Sequence, residues 1–185
     1  MRRLTFLLPL AALALASCST RITPPDYRTS RDSLFYLHQT GARPVSVGDF
    51  SGRRLSWINL AQCLRVPSRR TDFVAGDFGY IRNALIEELS IARLYTPSGG
   101  AVTLSGQVEW IRLNRVLPFD GRWRIQLRLI SSNGRSLAVR HDEEFDFDGL
   151  LGPAGCRNAI RAIEPAVRTL IEKAVTHPEF RALLA

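Results

Sequence analysis

From Pro44 onward the chain switches between two hydrophobic periods. Pro44-Val45-Ser46-Val47-Gly48-Asp49-Phe50 alternates apolar and polar positions and predicts a strand closed by a turn at Ser51-Gly52. Residues 53–75 are irregular, with a short strand around Leu55–Leu60 and a cluster of Arg65, Arg69 and Arg70 beside Pro67. Asp77 then caps a helix whose apolar stripe is Phe78, Ile81, Leu85, Leu89 and Ala92, widened by Ile86, with Glu87 and Glu88 on the wet side. The turn residues Pro97-Ser98-Gly99-Gly100 follow. In the second strand Val102, Leu104, Val108 and Trp110 alternate with Thr103, Ser105, Gln107 and Glu109, and Gly106 offers a place for a bulge. Residues 114–121 read as a loop.

The third strand sets Trp123, Ile125, Leu127 and Leu129 on one face and Arg122, Arg124, Gln126 and Arg128 on the other. Asn133-Gly134 is a strong hairpin signal. The fourth strand carries Leu137, Val139, Phe145 and Phe147. A last helix spans about Cys156 to Thr176, with Ile160, Ile163, Val167, Leu170, Ile171 and Ala174 inward, and Pro165 predicts a kink or break within it. The order β-α-β-β-β-α predicts an α+β fold: a two-layer sandwich of an antiparallel sheet and two amphipathic helices. The first strand joins that sheet by crossing over through the first helix.

The N-terminus follows another logic. Arg2 and Arg3 precede an apolar run from Leu4 to Leu15, too short to span a bilayer, so residues 1–17 read as a secretory signal peptide that is removed. Residues 18–43 are rich in Ser, Thr, Pro, Asp, Arg and Gly and read as a flexible tether, stiffened by Pro24-Pro25. Leu34, Phe35, Tyr36 and Leu37 interrupt it and either pack back on the domain or form an edge segment. Residues 44–185 form one domain, as the length of 185 residues also suggests.

Composition excludes more than it assigns. The chain is 45% hydrophobic and 23% charged, which argues against disorder. Its formal net charge of +8 comes almost wholly from arginine, since Lys173 is the sole lysine. That charge fits anionic headgroups or an ordinary mixed surface; nucleic acid is not expected as a partner of an exported chain. No catalytic or metal constellation is legible. His38, His141 and His177 have no zincin-type partner, and no nucleophile elbow or phosphate loop occurs. The acidic run at Asp142, Glu143, Glu144, Asp146 and Asp148 lacks calcium-loop spacing. Neither a catalytic residue, a metal nor a cofactor is therefore expected. Arg122, Arg124 and Arg128 share one sheet face. They either form an anion-binding surface for carboxylates or phosphates, or pair with Glu109, Asp142 and Glu144 on neighbouring strands.

Leu15-Ala16-Ser17-Cys18 resembles the lipobox of bacterial lipoproteins. The resemblance implies cleavage before Cys18, a diacylglycerol on its thiol and an N-acyl chain (palmitate or similar) on its amine. Two or three such chains make a durable membrane anchor. Ser19 implies sorting to the outer membrane, periplasmic face. With Cys18 assigned to lipid, Cys63 and Cys156 remain. In an oxidising periplasm they form a disulfide, or they stay as two free thiols. A closed loop of about 93 residues would contribute on the order of 4–5 kcal/mol in the chain-entropy account. Together with the element order, the stretch Tyr80–Leu89 followed by Val102–Gly106 resembles the small Gram-negative envelope lipoproteins, the YajG-like group and the auxiliary lipoproteins of ABC-type lipid transport. That implies a non-enzymatic accessory component that binds an envelope protein partner. The alternative is a lipid- or glycan-binding module using a groove or the basic sheet face.

Overall fold

The computed structural model describes residues 24–52, 78–117, 120–146 and 153–185. Their elements, in chain order, are α1 (Arg31–Gln39), β1 (Ser46–Gly52), α2 (Gly79–Ile91), β2 (Thr103–Leu117), β3 (Asp120–Ser131), β4 (Ser136–Asp146), α3 (Pro153–Arg161), α4 (Ile163–Val175) and α5 (Phe180–Leu184). The strands lie side by side in the order β1-β2-β3-β4. β2, β3 and β4 form an antiparallel meander, whereas β1 pairs in parallel with β2. The class is α+β, as expected. The sheet is mixed rather than antiparallel, because a strand that returns through a crossover containing α2 arrives pointing the same way as its neighbour. Ser51 and Gly52 continue β1 instead of turning. Residues 114–121, expected as a loop, mostly extend β2 and β3.

The helices pack on one sheet face. Trp123, Ile125, Leu127 and Leu129 of β3 are all at most 2% exposed on that face, where the Trp123 indole N–H donates to the Ala159 carbonyl of α3 at 2.8 Å. The α2 stripe Ile81, Leu85 and Leu89 and the α4 stripe Val167, Leu170, Ile171 and Ala174 close the core from above. The long C-terminal helix is divided at Ala162 into α3 and α4. Pro165 occupies the first turn of α4, where its missing N–H leaves no intrahelical bond unmade and its ring would collide with a continuing helix. At the β3–β4 turn Gly134 takes φ +88°, and Asn133 reaches across with its amide to the carbonyls of Ala182 and Ala185, at 3.0 and 2.9 Å. The hairpin thus also clamps α5.

Two expectations are corrected. Within 18–43, the described residues 24–43 are not a free tether. Ser30 caps α1, Leu37 is fully buried and α1 lies against α2 and α4. Of the two readings of Leu34–Leu37, packing back on the domain is the one observed. Glu88, placed on the wet side of α2, is 0% exposed. The cap at Asp77, the strand near Leu55–Leu60, the cluster Arg65, Arg69 and Arg70, and Phe147 lie outside the described residues.

Candidate functional site

The first polar concentration lies on the helix layer. The segment from Pro24 to Ser30 crosses α2 and α4 as a strap and is fastened by carboxylates beneath it. Glu88 Oε1 accepts from the Tyr27 hydroxyl at 2.7 Å and from the Ser30 N–H at 2.8 Å. Glu172 accepts from the Ser30 hydroxyl at 2.6 Å, Glu164 from the Arg28 N–H at 3.3 Å, and the Tyr80 hydroxyl donates to the Pro25 carbonyl at 2.9 Å. Among the described residues Glu88 Oε2 has no hydrogen-bond partner. Burial raises the Glu88 carboxyl above its ordinary value, and Glu172 and Glu87 add to the rise against the opposing pull of the Ser30 and Tyr27 hydrogen bonds. Burial likewise pushes both the Tyr27 and the Tyr80 hydroxyls up, with Glu88 and Glu164 adding to the first and Glu164 and Asp26 to the second. The sequence did hold a signal for Glu88: it stands on the same helical stripe as Ile81, Ala84, Leu85 and Ala92.

The second concentration is the opposite, outer face of the sheet, which no described element covers. Here the strand pattern is broken by one residue. Val108 faces Leu127 and Trp110 faces Gln126, so Glu109 is a bulge between them. A one-residue slip exchanges the faces. Ile111 and not Trp110 therefore continues the core, at 1% exposed, and Trp110 is half-buried on the outer face, contrary to the alternation read from the sequence. The bulge lies three residues beyond Gly106, whose missing side chain instead makes room for the Phe50 ring.

Five arginines lie on this face, two of them against Trp110. Arg128 Nε donates to Glu109 at 2.8 Å, Arg122 pairs with Glu144, and Arg124 lies 3.3 Å from Asp142. The three arginines read as an anion surface are thus each held by a carboxylate of the same sheet. Arg140 also binds Asp142, at 3.1 and 3.2 Å, and this pairing holds the Asp142 carboxyl below its usual range. The guanidinium carbons of Arg140 and Arg112 sit 5.2 and 5.8 Å from the Trp110 ring centre. Arg112 directly faces Arg124 across the β2–β3 ladder and, among the described residues, meets no carboxylate.

His141 belongs to the inner rows of β4 and is 8% exposed. Lys173 lies 3.1 Å from its Nδ1 and Glu143 2.7 Å from its Nε2. An ammonium only donates, so Nδ1 accepts and Nε2 carries the hydrogen given to Glu143. Among the described residues no hydroxyl or thiol bonds to this ring. No group of three metal-ligating side chains occurs among the described residues. Cys18 and Cys63 lie outside them; Cys156 falls on α3, and its side chain is outside the description. No helix of the described residues is long and apolar enough to cross a membrane.

No family model and no curated protein matches the chain. Solved structures do. A Xanthomonas campestris protein assigned to family DUF330 is 10% identical over 88% of this chain and 92% of its own, with a TM-score of 0.50. A candidate lipoprotein of Caulobacter crescentus CB15 is 15% identical over 82% and 94%, with a TM-score of 0.39. A dodecameric PelC variant of Paraburkholderia phytofirmans is 15% identical over 88% and 93%, with a TM-score of 0.36. The first likeness is one of fold; the other two superpose too loosely to carry an argument.

Proposed function

We propose that this chain is a lipid-anchored periplasmic lipoprotein of the outer membrane. It acts as a non-enzymatic accessory that binds a protein partner in an envelope transport or assembly system. The observation that carries the reading is the path of the chain from Cys18. The lipobox cysteine leads within five residues, 19–23, into a strap bolted to the helix layer by Tyr27, Ser30, Glu88 and Glu172. A segment that served only as a loose leash would not need buried hydrogen bonds. The resemblance to YajG-like and ABC-transport auxiliary lipoproteins agrees with this reading, as does the absence of a catalytic constellation from the sequence.

The competing reading, a lipid- or glycan-binding module built on Arg122, Arg124 and Arg128, has less support, because all three guanidiniums already meet carboxylates. Two measurements test the proposal. Labelled palmitate is expected on the wild-type chain and not on Cys18→Ala; labelling that survives the substitution defeats the anchor. In-cell crosslinking followed by mass spectrometry is expected to retain one recurring envelope complex. Recovery of lipid or glycan with no protein would favour the binding module.

A further inference from the structure

We propose that the outer sheet face centred on Trp110, Arg112 and Arg140 is the docking surface for an acidic segment of the partner protein. This deepens the reading above and rests on it for the partner's being a protein. Four observations converge. First, the Glu109 bulge is the device that brings Trp110 out of the core; bulges recur where a strand must re-aim a side chain for function. Second, Trp and Arg are the residues most enriched at the energetic centres of protein interfaces, and here they are stacked on one another. Third, the charges do not close. Around the ring stand Arg112, Arg124 and Arg140 with Asp142 shared between two of them, and Arg112 faces Arg124 directly. Like charges directly opposite across a ladder are destabilising. A partner carboxylate set between these guanidiniums would relieve the conflict and take bidentate hydrogen bonds. Fourth, the face has the right extent and anatomy. β2, β3 and β4, about 4.8 Å apart and paired over about 35 Å, with the shorter β1 beside them, offer on the order of 600 Å², near the roughly 800 Å² per partner of a standard interface. The pairs Arg122–Glu144 and Arg128–Glu109 make a polar rim around the centre.

Other occupants fit less well. The strap lies on the helix layer, so an anchor at Cys18 brings that layer toward the membrane and turns the sheet face away from it. Residues 53–77 of the chain itself carry five arginines and two aspartates, the wrong sign for a basic face.

The test uses the full chain in detergent, both wild type and Cys18→Ala, so that failure of the anchor and failure of the face are separate results. The probe is a decaglutamate peptide, with decalysine and phosphatidylglycerol vesicles beside it. Binding of decaglutamate is expected, weakening as salt rises. It should fall at least ~10-fold in Arg112→Gln, Arg140→Gln and Trp110→Ala, and stay unchanged in Arg157→Gln on α3. Arg112→Gln should also leave the melting temperature unchanged or raise it, a result that a merely structural arginine would not give. In cells, a photo-crosslinker at Ala138, an exposed position opposite Arg128, should join the chain to an acidic stretch of one protein, and Arg112→Gln should abolish the adduct. Decaglutamate binding indifferent to all three substitutions overturns the proposal. So does vesicle binding that depends on them in place of peptide binding, and so do adducts between copies of this chain alone.

Discussion

Glu88 concentrates the energetics of the strap in one carboxylate. One oxygen takes two hydrogen bonds and the other takes none among the described residues, at zero exposure. Tyr27→Phe removes one donor from a buried acceptor and should cost about 1–2 kcal/mol in urea unfolding. The folded state holds the Glu88 proton to higher pH than the unfolded chain does. Its contribution is therefore fully present below the ordinary carboxyl value of 4.5 and is lost as pH rises through the folded value. Stability measured from pH 4 to 8 should thus fall relative to Glu88→Gln across that window. Asp142 has the opposite sign: its depressed value makes its contribution present above the ordinary 3.8 and lost in acid. Asp142→Asn should lower stability at neutral pH and flatten the acid limb, so that the two proteins converge in acid.

At the scale of elements, the Glu109 bulge in β2 and the strap are departures from plain alternation that bear on function. Deleting Glu109 removes the extra residue and leaves the faces as they are, with Val108, Ile111 and Leu113 inward and Trp110 outward. The deletion should therefore keep the core and unfold close to the wild-type urea midpoint, losing only the Glu109 contacts to Gln126 and Arg128; a markedly lower midpoint would mean that the bulge itself supports the sheet. The strap predicts a different signature. It is held mainly by hydrogen bonds rather than by a large apolar face, so it opens before the core does. A double variant, Tyr27→Phe with Ser30→Ala, should be cut by protease within residues 24–30 while the fragment beginning near Arg31 stays resistant; equal loss of both would mean that strap and core unfold together.

For the whole molecule, the strap sets how far the domain stands from its anchor. Extended chain spans at most about 3.3–3.6 Å per residue. With lipid on Cys18, residues 19–23 reach about 18 Å, whereas residues 19–30 with the strap released would reach roughly 42 Å. Energy transfer from a dye on the sheet face to a dye in the membrane should therefore be efficient in the wild type and should weaken in the strap double variant. No change between them would mean that the strap does not govern height.

The sequence by itself determined the address and the class of fold. A charged start, an apolar run and a small-residue cleavage box are local patterns in one dimension. The inward rows of β3, the α2 and α4 stripes and the break near Pro165 follow from side-chain period and covalent geometry, which need no partner to be read. Only the tertiary structure decided the rest. Whether polar residues 24–43 float or dock depends on Glu88, Glu164 and Glu172, which lie 58 to 142 positions away from the strap residues that they bind. Whether Arg122, Arg124 and Arg128 are free depends on the register that sets Glu109, Asp142 and Glu144 beside them. The side to which Trp110 turns depends on one extra residue in a ladder, and a ladder exists only between two strands.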